Sequence, residues 1–460
     1  MKFHPGHFVV VFGGACAGAE AAYQLSRRGI YTVVIDQKTL PYGKIEDGLP
    51  KWHIKLRDKE ERKIDQKLSH PYIQFIPRTR LGRDIDFNDV VHQWGFSAVL
   101  LAIGAWRDRP LPVEGVDAYV GKGLYYQNPF VEWFNHKHEP DYSGPQCEIH
   151  DGAIIVGGGL ASIDVAKILM LETTIRALER RGHTIDLFTL EKEGIPRVLN
   201  RLGLTWEALG LNGATLFYRR RNIDMPIAPM PPNPTPEQRE KVHQVRRRIL
   251  KNAMDKYLFK FQECCRPVDK IVENDRLVGL VFQKTKIEEG QVRPLPGTEF
   301  EVRAPLVISS IGSIPEPIPG IPSKGELFEV KDPDTGKVEH YENVFALGNT
   351  VTGKGNIRES ELHARRVVLY VMDEFLKWHE SDYQRLVESG ITEGQPLTPE
   401  IEGFIKEKRL LPVEQIKQIM NRIKEYQRRV GYDGDYQKWV ETHRPIRLEE
   451  MSARKKADAP

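Results

Sequence analysis

The stretch Phe8–Asp36, FVVVFGGACAGAEAAYQLSRRGIYTVVID, decides the fold. It begins as an apolar strand and turns at Gly13-Gly14-Ala15-Cys16-Ala17-Gly18. It then continues as a helix of small residues and enters a second apolar strand ending in Asp36. This is the layout of a dinucleotide-binding βαβ unit. Glycines let the chain turn tightly, a helix N-terminus faces the pyrophosphate, and an acid about twenty residues on hydrogen-bonds a ribose. Ala15 stands where the middle glycine of that fingerprint allows the closest backbone approach, so one extra methyl crowds the turn. The alternative reading is a βα turn that binds nothing.

A second unit of the same kind starts at Ala153. AIIVGGGLASIDVAKIL places Gly157, Gly158 and Gly159 after a strand, Leu160 and Ala161 at a helix start, and Ser162 where a third glycine would stand. Two independent units in one chain make coincidence a poor explanation. The partner strand is expected at ATLFYRRR, Ala214–Arg221, after an insertion from Leu171 to Asn212 that reads as helices and loops. Arg219, Arg220 and Arg221 end this strand where an NAD-type site carries an acid. An acid repels a 2′-phosphate, whereas guanidinium groups hydrogen-bond it in pairs, so the pattern favours NADP over NAD. A solvated basic edge is the alternative.

Between and after these units, SAVLLAIGA (Ser97–Ala105) is an apolar strand ending in a small-residue turn at Gly104, and Gly43 and Gly48 sit at bends of a loop after Asp36. Strands are expected at KIVEN and LVGLVFQKTKI, at APLVISS and at YENVFALGN. After the last, a glycine loop opens a helix near Asn356, leaving backbone N–H groups available to a ligand. The helix REKVHQVRRRILKNAMDKYLFKF carries Lys241, Arg246, Arg247, Arg248, Lys251 and Lys256. From about Lys377 the chain is charged and helical, with no catalytic motif, and SARKKADAP at its end is expected to be disordered.

Composition excludes several classes. The chain has 460 residues and a net charge of only +3, enough length for two or three domains and too little charge for bulk nucleic-acid binding. Cys16, Cys147, Cys264 and Cys265 form no C-x-x-C pair and no zinc or iron–sulfur spacing, which fits a reducing compartment. MKFHPGH leaves no room for a signal peptide, and FSAVLLAIGAW, the longest apolar run, is too short for a membrane span. A cytoplasmic protein is expected.

Taken together, VVFGGACAG, PYGKIEDGLPKWH, LGRDI, AVLLAIGA, AIIVGGGLASIDVAKIL, YRRR, LVISSIGSIPEPIPGIP and TGKGNI resemble the adrenodoxin-reductase-like group of ferredoxin–NADP reductases, which are also relatives of the glutamate synthase small subunit. The resemblance runs from Phe8 to about Arg366. It implies an α/β protein with two Rossmann-like, doubly wound nucleotide-binding domains, the NADP domain inserted in the FAD domain, plus a helical C-terminal extension. The implied boundaries are 1–110 and 336–376 for the FAD domain, 111–335 for the NADP domain and 377–460 for the extension.

Residue by residue, the resemblance makes Gly13, Gly14, Cys16, Ala17, Gly18 and Asp36 the FAD pyrophosphate and ribose site, with Lys44 and Leu81 at its adenosine part. Gly104, a small residue at a strand end that a ligand or a crossing chain can approach, is counted with the cofactor-binding residues. Gly355, Asn356 and Ile357 match the helix start under the isoalloxazine. Gly158, Gly159, Leu160 and Ala161 match the NADP pyrophosphate contacts, flanked in the same turn by Gly157 and Ser162, and Arg219 with Arg220 match the grip on the 2′-phosphate. His53 matches a histidine beside the flavin, which by itself reads equally as a packed histidine, so no catalytic side chain and no metal ligand is assigned. Asn349 departs from the family, where mitochondrial members have tryptophan and many related flavoproteins aspartate.

The implied activity is electron transfer between NADPH and a ferredoxin-like carrier through FAD, by hydride transfer to flavin N5. The basic helix would be a docking face for the acidic carrier, against the alternative of a solvated helix face. Two rival functions are an electron-input subunit of a larger enzyme and a non-catalytic subunit that kept the fold. The oligomeric state is not legible.

Overall fold

The computed structural model describes residues 6–377, 408 and 410–457. The chain divides into two compact units: Met1–Glu46, Ile54–Arg107 and Ile314–Pro445 form the first, and Asp47–His53, Asp108–Ser313 and Ile446–Pro460 the second.

The first unit is built on a five-stranded parallel sheet in the order Val344–Ala346, Ala98–Leu101, Phe8–Phe12, Tyr31–Ile35, Ile73–Ile76. FVVVF reads as unbroken apolar sequence because both faces of this central strand are covered, and all five of its residues are buried. Val10 lies opposite Val33 on one side and Val99 on the other. The order reverses at Phe8–Phe12, so its carboxyl end is the switch point where doubly wound sheets bind ligands. The helix Cys16–Ser26 packs against Ile54–Leu68 and Ile357–Tyr370. Glu20, almost fully buried on the first, accepts from Gln24, from Lys67 Nζ at 2.8 Å and from Arg365 Nε at 2.5 Å, and Lys67 also meets Glu361 at 2.9 Å. These partners outweigh the burial that opposes charge on Glu20 and hold its carboxyl below the usual range.

The helix Val413–Arg429 belongs to this unit's core: Ile416, Ile419 and Ile423, one face at helical spacing, pack in one cluster with Ile76, Leu81 and Trp94. Gln427 Nε2 donates to Phe75 O at 3.0 Å, satisfying a carbonyl of the sheet's edge strand.

The second unit holds another five-stranded parallel sheet, in the order Leu124–Tyr126, Val307–Ser310, Ile154–Gly157, Thr215–Phe217, Lys260–Gln262. The insertion between its second and third βα elements is the long continuation of the helix Leu160–Glu179 followed by three short helices, Leu187–Glu193, Ile195–Arg201 and Trp206–Leu209. Beside the sheet lies an antiparallel one of Cys265–Glu273, Arg276–Glu288 and Gln291–Arg303. Its third strand was not expected: QVRPLPGTEFEVR carries Pro294, Pro296 and Gly297, which hide the alternation of an exposed edge strand.

Two further expectations are corrected. SARKKADAP is not disordered from its start, since the helix Leu448–Ala457 runs through it; residues 458–460 lie outside the described residues, as does 378–407 of the expected helical extension. The loop expected from Asn349 opens with a short helix, Asn349–Thr352.

Candidate cofactor sites

In the first unit, Gly13 turns with φ +93°, and a Cβ there would lie 2.5 Å from Ala102 O. A Cβ on Gly18 would lie 1.7 Å from Gly13 O, so the third glycine is fixed by helix–turn packing. Asp36 is buried. Its Oδ2 accepts from Gly14 N at 2.7 Å and its Oδ1 from Lys38 N at 2.8 Å, which holds the carboxylate at the turn. The helix starts at Cys16 with no side-chain cap, and its first backbone bond runs from Ala19 N to Ala15 O, so the N–H groups of Cys16, Ala17 and Gly18 have no helical acceptor. Burial pushes the Cys16 thiol up to about 12 and keeps it a neutral small residue.

Ala15 adopts ordinary extended backbone, φ −72°. A Cβ on Gly43 would lie 3.0 Å from Ala15 Cβ, so the methyl that replaces the middle glycine faces a glycine across the turn. Gly43 itself has φ +55°. The Lys44 ammonium lies 5.7 Å and that of Lys38 5.5 Å from the centroid of the Trp106 indole, while a Cβ on Gly104 would meet only Trp106 Nε1, at 4.0 Å. Leu81 is buried in the core beside Gly82.

Beside the start of the helix Cys16–Ser26, where a Cβ on Gly348 would lie 2.9 Å from Ala17 Cβ, Gly348 N donates to His363 Nδ1 at 2.9 Å, and His363 Nε2 meets Pro333 O at 2.7 Å. That arrangement puts the proton on Nε2, and burial lowers the ring's pKa. Asn349 Oδ1 is buried with no hydrogen-bond partner among the described residues, and its Nδ2 faces Gly355, whose Cβ would lie 3.5 Å away. Asn356 caps the helix Ile357–Tyr370, its side chain accepting from Glu359 N at 2.8 Å. Gly355 and Asn356 are exposed.

In the second unit the three glycines have three environments. A Cβ on Gly157 would strike Ser310 O at 2.4 Å and Ser162 Cβ at 2.6 Å; one on Gly158 would strike the Tyr218 ring at 2.1 Å; one on Gly159 would meet nothing within 4 Å. The backbone of Gly159 therefore borders open space at the start of the helix Leu160–Glu179, where Leu160 is exposed and Ser162 Oγ donates to Gly159 O at 2.7 Å. Ala161 follows in the first turn.

The strand before the arginines ends at Phe217, so Arg219, Arg220 and Arg221 lie in the following turn. Arg221 grips Asp224 with Nε and Nη2 at 2.9 and 3.1 Å. Arg220 Nε stands 4.0 Å from the same carboxylate, and exposed Arg219 makes no ion pair among the described residues. The turn is tied down by its carbonyls. Tyr218 O accepts from Cys265 N, Arg219 O from Thr285 Oγ1 at 2.9 Å and Arg220 O from Cys264 N at 3.1 Å. Arg246 is a correction: it is buried and donates to Ile223 O at 2.7 Å and to Ala228 O at 3.0 and 2.8 Å, so it fixes the loop beyond the arginines and is not part of a docking face. His53 falls in the second unit, 3.8 Å from Asp164, which also meets Lys167 at 3.5 Å.

Both turns fit a dinucleotide. Each has helix N–H groups without helical acceptors at a glycine turn, the first beside a held carboxylate and the second beside unpaired guanidinium. Residues 7–193 match the model of the pyridine nucleotide-disulphide oxidoreductase family. Over this stretch the chain is similar to that family. The disulphide of the family's description has no counterpart among these cysteines, since Cys16, Cys147, Cys264 and Cys265 are all free.

Among curated proteins, the chain is 27% identical over 363 residues to "NADPH:adrenodoxin oxidoreductase, mitochondrial" of Arabidopsis thaliana, covering 70% of this chain and 71% of that one. It is 23% identical over 212 residues to "NADPH-ferredoxin reductase FprA" of Mycobacterium leprae, 43% of each chain. It is 26% identical over 317 residues to "NADPH-Fe(3+) oxidoreductase subunit beta" of Geobacter sulfurreducens, covering 67% of this chain and only 37% of that subunit. The solved structure of Mycobacterium tuberculosis FprA in complex with NADPH aligns with a TM-score of 0.62 at 17% identity, covering 92% of this chain and 90% of that one. The two share a fold. No helix among the described residues is long and apolar enough to cross a membrane.

Proposed function

We propose that the chain is an NADPH-dependent FAD oxidoreductase that moves electrons between NADPH and a ferredoxin-like one-electron carrier. The observation that carries the reading is the contrast between its two turns: a held carboxylate, Asp36, at one, and Arg219 without an ion pair at the other. FAD, when bound, supplies the interface between two-electron and one-electron chemistry, taking hydride at N5 and releasing electrons singly.

The chain's residues bind and orient. Gly13, Gly14 and the N–H groups of Cys16 to Gly18 would hold the FAD pyrophosphate, and Asp36 the adenosine ribose. The start of the helix at Ile357 would place positive dipole at the flavin's pyrimidine end, where reduction builds negative charge. Asn349 would offer its buried carbonyl oxygen to a flavin or ribityl donor. Gly159 to Ser162 would receive the NADP pyrophosphate, and Arg219 with Arg220 its 2′-phosphate.

The relatives whose names include adrenodoxin and ferredoxin support a ferredoxin-like partner. Lys241, Arg247, Arg248 and Lys251 form an exposed basic face that would steer an acidic carrier. Arg247 and Lys251 pair with Glu240 and Asp255 within the same helix, exposed pairs that cost little to exchange for a partner's carboxylates. A cytoplasmic location suits the four free cysteines. A second reading, an electron-input subunit of a larger enzyme, is supported by the Geobacter relative, which is named as a subunit.

The test is spectroscopic. Purified protein should show an oxidised-flavin spectrum that bleaches on anaerobic addition of NADPH and recovers on addition of oxidised ferredoxin. A flavin that NADPH does not bleach would overturn the reading. Bleaching without recovery, together with a large partner that copurifies stoichiometrically, would favour the second one.

A further inference from the structure

Within the first unit, the C-terminal helix Tyr436–His443 closes a circuit of contacts on the loop that follows Asp36. Trp439 Nε1 donates to Thr39 O at 2.8 Å. The Arg78 guanidinium lies over the Trp439 ring, 5.2 Å from its centroid, while Arg78 Nε donates to Thr39 Oγ1 at 3.1 Å and Arg78 N to Lys38 O at 3.0 Å. Arg78 has φ +54°, a left-handed conformation that an arginine adopts at a cost, here held by its backbone and its side chain together. A second anchor lies beside the first. Tyr436 OH and Tyr42 OH both donate to Asp65, at 2.8 and 3.1 Å, so the far end of the loop is fixed to the same helix through one carboxylate.

The loop between these anchors bears on the glycine turn. A Cβ on Gly14 would lie 2.5 Å from Pro41 Cβ, and Gly43 faces Ala15. The carboxylate of Asp36 accepts from Gly14 on one side and Lys38 on the other, so displacing residues 37–42 displaces the carboxylate. The helix is fixed in its turn by Phe75, whose ring meets Tyr432 and Tyr436 edge-on at 5.9 and 5.5 Å. Tyr436 and Trp439 are both more than nine-tenths buried, although the sequence around them is strongly charged.

We propose that Tyr436–His443 is a clamp on FAD retention: by holding the loop between Asp36 and Gly43 it keeps Asp36 and the Gly13–Gly18 turn in the geometry that the adenosine end of FAD requires. The proposal rests on FAD occupying the first unit. Trp439 and Tyr436 act through the loop and are positioning residues.

The full-length, flavin-loaded chain is compared with Trp439→Phe, Trp439→Ala and Tyr436→Phe. FAD release after dilution is followed by the rise of free-flavin fluorescence, FAD affinity by reloading, and NADPH affinity of the flavin-free protein by NADPH fluorescence. Trp439→Phe, which removes one hydrogen bond and keeps the ring under Arg78, should weaken FAD binding about fivefold. Trp439→Ala should weaken it more than tenfold, and NADPH affinity should not change. Wild-type FAD affinity in both Trp439→Phe and Tyr436→Phe would overturn the clamp, as would parallel losses of FAD and NADPH binding, which report general unfolding. If the wild-type chain takes up no FAD, the cofactor assignment fails and the clamp with it. FAD bound equally by wild type and all three variants sinks the clamp alone.

Discussion

Arg219 and Arg221 are two residues apart and do different things. Arg221 is committed to Asp224, whose carboxyl it pulls down against the burial that raises it, whereas Arg219 points its charge at no carboxylate among the described residues. Arg219→Ala should therefore weaken NADPH binding by about ten- to a hundredfold, the range for one charge-assisted bond, and leave NADH binding unchanged. Titration of the flavin-free protein with each nucleotide checks it; equal losses for both would place the 2′-phosphate elsewhere. The glycines separate in the same way. Gly18→Ala forces a methyl to 1.7 Å from Gly13 O and should cost about 3 kcal/mol or more in denaturant unfolding, whereas Gly159→Ala, with open space around it, should barely change stability and should lower NADPH affinity. At this scale the glycine turns and Asp36 are legible in sequence because their chemistry is local and their spacing is set by one strand and one helix. Arg246 is not. In the run Arg246-Arg247-Arg248 nothing local distinguishes the one arginine whose partners are carbonyls of a distant loop.

The antiparallel sheet of Cys265–Arg303 shows what an element outside the doubly wound core contributes. Its residues accept none of the expected cofactor contacts, yet Cys264, Cys265 and Thr285 hold the carbonyls of Arg220, Tyr218 and Arg219. Thr285→Val keeps the shape and removes the hydroxyl, so it should loosen the arginine turn and weaken NADPH binding a few-fold, about what one neutral hydrogen bond supplies. The check is the ratio of NADPH to NADH affinity, which a change in stability alone would not move. The parallel strands are readable because burial on both faces makes them continuous apolar runs, as in FVVVF and AIIV. Gln291–Arg303 is exposed, and its prolines and glycine imitate a loop. The helix Val413–Arg429 is readable from its isoleucine spacing, but which sheet those isoleucines cover is settled only by the fold.

For the molecule as a whole, three buried groups shape the response to pH. His7 is fully buried, neither ring nitrogen has a hydrogen-bond partner among the described residues, and burial lowers its pKa to about 4. Its folded pKa lies below its unfolded value of 6.5, so its contribution is intact above pH 6.5 and is lost as pH falls toward 4. The first unit should lose about 3 kcal/mol across that window from this group alone, and His7→Leu should flatten the acid limb of a stability–pH curve. In the second unit two groups oppose each other. Burial disfavours the charged form of His136, but Asp47 and Glu139 at 3.1 and 2.6 Å raise its pKa to about 10, so its contribution is full below 6.5 and is lost as pH rises through 10. Burial, with Lys137 nearby, lowers Lys51 to about 7, and its penalty is relieved as pH rises from 7 toward 10.5. The two slopes largely cancel in the wild type. Lys51→Met should stabilise the second unit at neutral pH and expose an alkaline decline that the native chain lacks; a wild-type-like slope in that variant would refute the compensation.

The borders of the second unit carry an evolutionary consequence. Its main body, Asp108–Ser313, interrupts the first unit's sequence as a single insert, yet it takes in two pieces from outside, Asp47–His53 and Ile446–Pro460. Those pieces supply the Asp47 carboxylate to His136, the Leu49 carbonyl to Asn135 and the Ile446 carbonyl to His138. The insert is therefore not a portable cassette. Recombination at its two linkers would deliver a domain missing one of the two counter-charges of a buried imidazolium, so swaps between relatives succeed best when three separated segments travel together, and lineages carrying this architecture should inherit the outer segments and the insert as one linked block.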